Sequence, residues 1–417
     1  MIDLLQIRIY LKSQFITELF DKDGILRGGE CAPDIITEYG FSLAAGCVEK
    51  SDDPKNPHYE VGRLYHPFES LPSSNSTLAF KFKFGGKNYF PHVEIKASPA
   101  KLLQGHDAFG STDFMNGVNA LMYTFWTAFP FVDDLLEISS SELYQIDSTY
   151  SAKMKSMFEC KQVITALSSV STGKVKNTKS FESTASWSYG SEYSAKIAYL
   201  KEVEVNRQLQ ELKVKMKTQK HEYLTKQLNA LQSEEVQSFV KNVIRFEAKI
   251  KRKWLKENGI PTRLIDLKKF IGDRSAEFCE WLWHKNFDPI FETFKGHNMN
   301  MQNDEKIFRE CKIVFDKYRE VNGKTVVVET KSRNVYQFYL SCKAQGLEFM
   351  KGITSSSGFY RNYSDLGQVL SKAQIQNLHT QNSVVIPLIK VINIDFSNQR
   401  PASFREINPN VLAVVGA

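Results

Sequence analysis

An α+β fold is what the sequence predicts: an antiparallel β-sheet core with packed helices, plus a smaller C-terminal α/β or mostly helical domain. Three features carry that expectation. Two stretches alternate apolar and polar residues as half-buried strands do, "TLAFKFKF" (77–84) and "FVKNVIRFEAKIKRKWL" (239–255). A hairpin signal joins the first to its return strand, with "GGKN" (85–88) turning into "YFPHVEIKAS" (89–98). Long apolar, aromatic stretches at 113–129 and 277–294 read as buried helices.

In chain order, residues 2–12 alternate weakly and read as a first strand. "SDDPKNP" (51–57) and "SLPSSNS" (70–76) are polar loops. Pro91 lacks an N–H and so belongs at an edge, a bulge or a strand start. Residues 144–152 form a strand, 156–169 a helix and 168–180 a basic connector. Residues 182–205 read as a second hairpin turning near Gly190, and 206–238 as a solvated helical segment. In 239–255, Ile244, Phe246, Ala248 and Ile250 share one face, and Arg245, Glu247, Lys249 and Lys251 the other. From about 262 the pattern is helical. The polar stretch "KGHNMNMQ" (295–302) suggests a boundary, giving a region 1–297 and a C-terminal domain 298–417.

The chain has 417 residues, 42% hydrophobic and 24% charged, enough for a large core and two or three domains. Its formal net charge of +7 is compatible with an anionic partner. The six cysteines, at 31, 47, 160, 279, 311 and 342, have no zinc-type or CxxC spacing and suit a reduced, cytoplasmic protein. Asp3 and Arg8 interrupt the apolar N-terminal stretch, so it does not read as a signal peptide. No run approaches the length of a membrane span, so no membrane association is expected.

Three strands each carry one interior carboxylate: Glu94 in "HVEIKAS", Asp147 in "QIDSTYS" and Glu247 in "IRFEAKI". Asp is disfavoured in strands because it competes for backbone hydrogen bonds. Taken singly, each fits an exposed position, with Glu94 and Glu247 paired to Lys96 or Lys249. Taken together, they suggest one shared acidic site. Carboxylates on rigid strands suit Mg²⁺, with Mn²⁺ as a substitute, because such an ion takes few carboxylates and keeps waters or phosphate oxygens. The eight histidines form no His-x-His or HExxH pattern.

In "KIAYLKEVEV" (196–205) the strand period puts Tyr199 and Lys201 on one face. A strand tyrosine is most often a packing residue. As a nucleophile it needs a nearby cation, since its pKa is ordinarily about 10, and Lys201 is placed to supply one. Residues 207–257 carry thirteen Lys or Arg against six Asp or Glu. The densest part, "KIKRKWLK" (249–256), holds Lys249, Lys251, Arg252, Lys253 and Lys256, with Trp254 interleaved, and Arg245 precedes it. It reads as a solvated face, or as a DNA-binding surface suited to phosphates and an unpaired strand.

Several blocks closely resemble the gene II replication proteins of filamentous bacteriophages: "HPFESLP" (66–72), "VEIKASPAKLLQGHDAFGSTD" (93–113), "IDSTYSAK" (146–153), "AYLKEVE" (198–204), "VIRFEAKIK" (243–251) and "IPLIKVINIDFSNQRP" (386–401). The resemblance implies a rolling-circle replication initiator. Such a protein nicks the plus strand at the double-stranded origin and leaves a 3′-hydroxyl for the host polymerase. It then cuts the displaced single strand and closes it into a circle. Duplex origin DNA, displaced single-stranded DNA, the host replication helicase and polymerase, and self-association on the origin are the implied partners. The family also makes a shorter protein from an internal start, for which Met299 and Met301 are candidates; that segment is expected to bind DNA without nicking it.

A more distant likeness is to plasmid initiators with a tyrosine in an "R-I-Y-x-K"-like strand, a glutamate in an "R-x-E" strand and a carboxylate-held magnesium. Here "IAYLK" (197–201) lacks the leading arginine, and "RIYLK" (8–12) fits literally. No GxxxxGK[ST] loop is present, so joining without ATP calls for a covalent intermediate that keeps the bond energy. The expected assignment is Tyr199 as nucleophile, Lys201 as its supporting cation, and Glu94, Asp147 and Glu247 as metal ligands. Tyr10, Tyr150, Tyr189 and Tyr193 are candidates for a second tyrosine. A water-using metal endonuclease and a non-enzymatic origin-binding protein are the alternatives.

Overall fold

The computed structural model describes residues 1–50, 59–168, 177–181, 183–188, 190–292, 304–321, 324–376, 378 and 392–409. Nine strands form one antiparallel sheet. They are β1 (Ile2–Leu11), β2 (Glu69–Pro72), β3 (Thr77–Lys83), β4 (His92–Ala97), β5 (Leu136–Lys153), β6 (Asn177–Phe181), β7 (Thr184–Trp187), β8 (Ser194–Leu200) and β9 (Val243–Lys251). Their spatial order is β6-β7-β8-β9-β5-β1-β4-β3-β2. The expected first strand is β1, which lies between β5 and β4 inside the sheet. The expected hairpin is β3–β4, and Pro91 lies immediately before β4, where no ladder bond is lost.

Alternation divides the two faces as the period-two rule requires. Leu5, Ile7 and Ile9 of β1, Val93 and Ile95 of β4, and Ile244, Phe246, Ala248 and Ile250 of β9 enter one core. Helix Phe114–Ala128 covers it with Val118, Leu121 and Phe125, and helix Ser275–Glu292 with Leu282, Trp283 and Phe287. Trp283 stacks on Phe287 at 4.9 Å between ring centroids and donates its indole N–H to the Phe246 carbonyl at 3.2 Å. An aromatic buried this way, with its polar atom satisfied, stabilises the fold by about 2–3 kcal/mol.

Several expectations change. The polar loop at 70–76 begins as a strand, because Ser70, Leu71 and Pro72 pair with β3 at the sheet edge, where the missing proline N–H is tolerated. The strand at 144–152 extends over Leu136–Lys153 and carries a bulge: Ile7 faces Leu143 while Gln6 faces Gln145, so Tyr144 is the extra residue. The bulge resets the alternation, so that Glu142 and Asp147 lie on the same face. The strand expected to run to residue 205 stops at Leu200, because Lys201–Lys215 is a helix with Glu202 and Glu204 in its first turn, where acidic residues favour a helix start. The second hairpin does turn through Gly190, whose φ of +80° suits glycine. Helices Lys201–Lys215, Glu222–Gln232 and Glu234–Val240 are not merely solvated; they close a small core of their own around Phe109, Val205, Leu212, Leu224 and Val236. The alternation at 239–255 covers more than one element: β9 ends at Lys251 as helix Arg252–Glu257 begins.

The loop at 51–57, Tyr189, the boundary at 297/298 and the candidate starts Met299 and Met301 lie outside the described residues. Beyond them, helices Asp304–Phe315, Thr330–Gln345 and Ser356–Leu366 enclose a separate core, and strands Lys317–Val321 and Lys324–Val328 pair antiparallel between the first two. The segment 392–409 returns to the main body. Phe396 packs on Tyr150 at 4.8 Å, and Gln399 exchanges hydrogen bonds with the Ser151 backbone at 2.7 and 3.0 Å.

Candidate active site

The sheet face turned away from the main core carries polar side chains. Across β8, β9 and β5, three of them fall on one diagonal. Tyr199 lies directly across from Arg245, Glu247 lies two residues further along β9, and Asp147 faces Lys249, two residues further again. Strand spacing and rise put each diagonal step at about 8 Å between Cα atoms. Rigid neighbouring strands therefore hold a phenol and two carboxylates in line.

Asp147 is fully buried. Its Oδ1 accepts from Gln145 Nε2 at 2.7 Å, while its Oδ2 receives no hydrogen bond. Lys249 Nζ stands 3.5 Å from Asp147 Oδ2 and 2.7 Å from Glu247 Oε1. Burial, aided by the Glu247 charge and opposed by Lys249, pushes the Asp147 carboxyl well above the usual carboxylate range. Asp3, in β1, also has a buried oxygen, Oδ1, without a hydrogen-bond donor. Burial and the charges of Glu247 and Asp107 push its carboxyl up to about 6.

Two orphaned carboxylate oxygens beside Glu247 are a hard, all-oxygen donor set of the kind a divalent cation takes, with remaining positions left to water or phosphate. Among the described residues, no three His, Cys, Asp or Glu side chains form a ready metal cage. The residues fit an ion held by two carboxylates better than one enclosed by protein.

Around Tyr199 the charges are ordered. Arg245 is buried, donates to the Asp107 and Ala108 carbonyls, and lies 3.8 Å from Asp3. Asp107 accepts from Lys201 Nζ at 2.9 Å and lies 3.3 Å from Lys101 Nζ. Although burial opposes ionisation, Lys101, Lys201 and Arg245 hold Asp107 well below the usual carboxylate range. The loop bearing Asp107 is set by the short helix Pro99–Gln104, capped by Ser98 and ended by left-handed Gly105. Burial and the nearby Glu247 push the half-buried Tyr199 phenol well above 10, so it stays protonated near neutrality.

Glu94 stands apart. It faces Arg8, which is four residues along β1 from Leu4, the partner of Asp147. That offset is about 13 Å along the strand, with two strand spacings across. The three carboxylates therefore do not converge. Glu94 Oε1 accepts from Arg8 Nε and Nη2 at 2.9 and 2.7 Å. Burial opposes its ionisation, but His92 and Arg8 lower it to about 2.

A family model for the N-terminal part of the phage replication-associated protein matches residues 1–268, and one for its C-terminal part matches 321–410. The replication-associated protein of Enterobacteria phage M13 is 34% identical over 412 residues, 97% of this chain and 98% of that protein. The protein of the same name from Salmonella phage IKe is 34% identical over 413 residues, 97% of this chain and 96% of that protein. The chain belongs to the gene II family of phage replication-associated proteins. The diagonal of Tyr199, Glu247 and Asp147 lies within the N-terminal match, as do Asp3, Asp107 and Glu94.

The basic residues of this replication-associated protein do not form one surface. Arg245 points into the acidic site and is not offered to solvent. Lys249 bridges Glu247 and Asp147. Arg252 binds Glu142 at 2.8 Å, and Lys251 pairs with Glu192 at 3.0 Å. Lys253 and Lys256 are exposed. Trp254 is buried in the main core and is no platform for a base. Lys201 opens a helix, and its buried ammonium also binds Glu204 at 2.7 Å.

Among the described residues, none of the other tyrosines considered joins Tyr199. Tyr10 donates to Glu142 at 2.8 Å beyond the Arg8 end of β1, Tyr150 is on the core face, and Tyr193 precedes β8. Sequence reasoning missed Asp3 and Asp107. Asp3 sits in an alternating strand start, and Asp107 in a loop whose role depends on long-range contacts to Lys201 and Arg245.

Proposed function

We propose that this chain starts rolling-circle replication of a filamentous-phage genome as a nicking and joining enzyme. It cuts the plus strand at a duplex origin and leaves a 3′-hydroxyl. After a round of synthesis it cuts the displaced strand and closes it, without ATP. The alignment of Tyr199 with Glu247 and Asp147 on one rigid sheet face is the observation that carries this reading, and the replication-associated name of the M13 and IKe relatives supports it.

The Tyr199 oxygen attacks the scissile phosphorus, the bond from phosphorus to the 3′-oxygen breaks, and a 5′-phosphotyrosine ester forms. The phenol proton passes to a neighbouring carboxylate and the leaving 3′-oxygen takes one up. Asp3, held near 6, has the ionisation best matched to that exchange near neutrality. A later 3′-hydroxyl attacks the ester, restores the phosphodiester and frees Tyr199. Asp147 and Glu247 would hold Mg²⁺ or Mn²⁺, with Asp3 adjacent, and such an ion supplies charge stabilisation at the scissile phosphate. Lys201 acts as a positioning residue that fixes Asp107 beside Arg245.

The host helicase and polymerase, self-association on the origin, action in the bacterial cytoplasm, and a separately made C-terminal segment belong to the same proposal. The test is incubation of the Tyr199→Phe protein with supercoiled origin DNA and Mg²⁺. Loss of nicking with origin binding retained is expected. Nicking at a near normal rate would assign the attack to water or another residue, and binding without nicking by the unmodified protein would mark a non-enzymatic origin binder.

A further inference from the structure

The polar face continues past β1 with the opposite charge. On β3, Lys81 and Lys83 alternate outward from the core residues Phe80 and Phe82. Lys81 faces Glu94 in register, but Glu94 already binds Arg8. Neither lysine has an ion-pair partner among the described residues, and they crowd each other: burial first, and then Lys81, lower the Lys83 ammonium. Arg8, Lys81 and Lys83 thus outnumber the carboxylates near them, Glu94 on the sheet and Glu30 in the lining of the adjoining cleft.

Flat rings surround these cations. Lys81 Nζ lies 4.7 Å from the Phe68 ring, which is 51% exposed. Tyr65 and Tyr89, also exposed, join Lys81 and Lys83 in lining an open cleft of about 560 Å³. Counting registers, Lys81 lies three strands across and four residues along from Asp147, about 20 Å away.

We propose that this cleft is a binding subsite for single-stranded DNA, with Lys81 and Lys83 on phosphates and Phe68, Tyr65 and Tyr89 stacking on bases. Rings open to solvent beside unpaired cations suit unstacked bases, whereas a duplex would present only its backbone to them. As the place where a displaced strand is held, the subsite rests on the replication reading above; as a binding site it stands on its own geometry.

The test is fluorescence anisotropy of labelled oligothymidylate against the full-length protein over a range of salt. Oligothymidylate carries no origin sequence and EDTA removes divalent metal, so no cleavage competes and failure of the nucleophile assignment leaves the result readable. Replacing both lysines, as Lys81→Gln with Lys83→Gln or as the two alanines, should flatten the log–log salt slope by about 1.4. Phe68→Ala or Tyr89→Ala should weaken binding at least about fivefold. Variants with wild-type melting but unchanged slope and affinity would overturn the subsite. So would equally effective competition by polyglutamate, which would mark a surface for acidic protein.

Discussion

Arg8 grips Glu94 through both Nε and Nη2, at 2.9 and 2.7 Å on a single carboxylate oxygen. This pair, rather than a metal, accounts for the interior carboxylate of β4. It also lies at a different level of the sheet from Asp147, so the proposed chemistry gives Glu94 a structural part and leaves the metal to Asp147 and Glu247.

That division predicts an acid-stability signature. Glu94 is lowered from 4.5 to about 2 by His92 and Arg8, against the opposing effect of burial. A carboxyl with a lowered folded pKa contributes stability above its unfolded value and loses it as pH falls through the folded value. The contribution is about 3 kcal/mol, lost between the two values. Glu94→Gln should remove that part of the acid limb in denaturant titrations at stepped pH. An unchanged limb would contradict the ion pair.

The metal requirement should separate the carboxylates. Asp147→Asn and Glu247→Gln each replace a carboxyl ligand with an amide, a poorer one, and should raise the Mg²⁺ needed for half-maximal nicking by roughly tenfold or more. Mn²⁺ should recover part of the activity. Glu94→Gln should leave the midpoint near that of the wild type. A shift for Glu94→Gln matching the other two would restore the three-ligand site.

Arg245 should behave as a buried structural cation. Arg245→Met leaves the Asp107 and Ala108 carbonyls and Asp3 without their donor or charge partner, and should cost about 3–5 kcal/mol of stability. Chemical denaturation with equilibrium fits measures it. A fully stable variant with weakened DNA binding would return Arg245 to the DNA surface.

Of the six cations from Arg245 to Lys256, only Lys253 and Lys256 combine exposure with a location free of the acidic site. Replacing both with alanine should reduce the salt slope of duplex origin binding by about 0.9 for each phosphate no longer neutralised. Lys251→Ala and Arg252→Ala should change it less, because Glu192 and Glu142 already neutralise those residues. The reverse ranking would place the duplex along the edge of β9.

Sequence periodicity exposes much of this architecture, because β1, β3, β4 and β9 each turn their apolar residues to one face. It also puts Tyr199, Asp147 and Glu247 in strands and on defined faces. Register is not legible there: the bulge at Tyr144 and the Arg8–Glu94 pairing decide which carboxylates meet, and both are long-range. The end of β8 is hidden because "KEVEV" satisfies strand alternation while its glutamates also favour a helix start. Asp3 and Asp107 gain their meaning only when β1 and the loop after Gly105 fold against Arg245.

Whether Tyr199 becomes covalently attached to DNA is the most direct question. A suicide oligonucleotide carrying the origin sequence, whose short upstream piece ending in the new 3′-hydroxyl diffuses away after cleavage, would trap the intermediate in Mg²⁺. Proteolysis and mass spectrometry then identify the modified peptide. A 5′-phosphate nucleotide adduct on Tyr199, absent from the Tyr199→Phe protein, is the expected result. Cleavage without any adduct, or with the adduct on another residue, would contradict it.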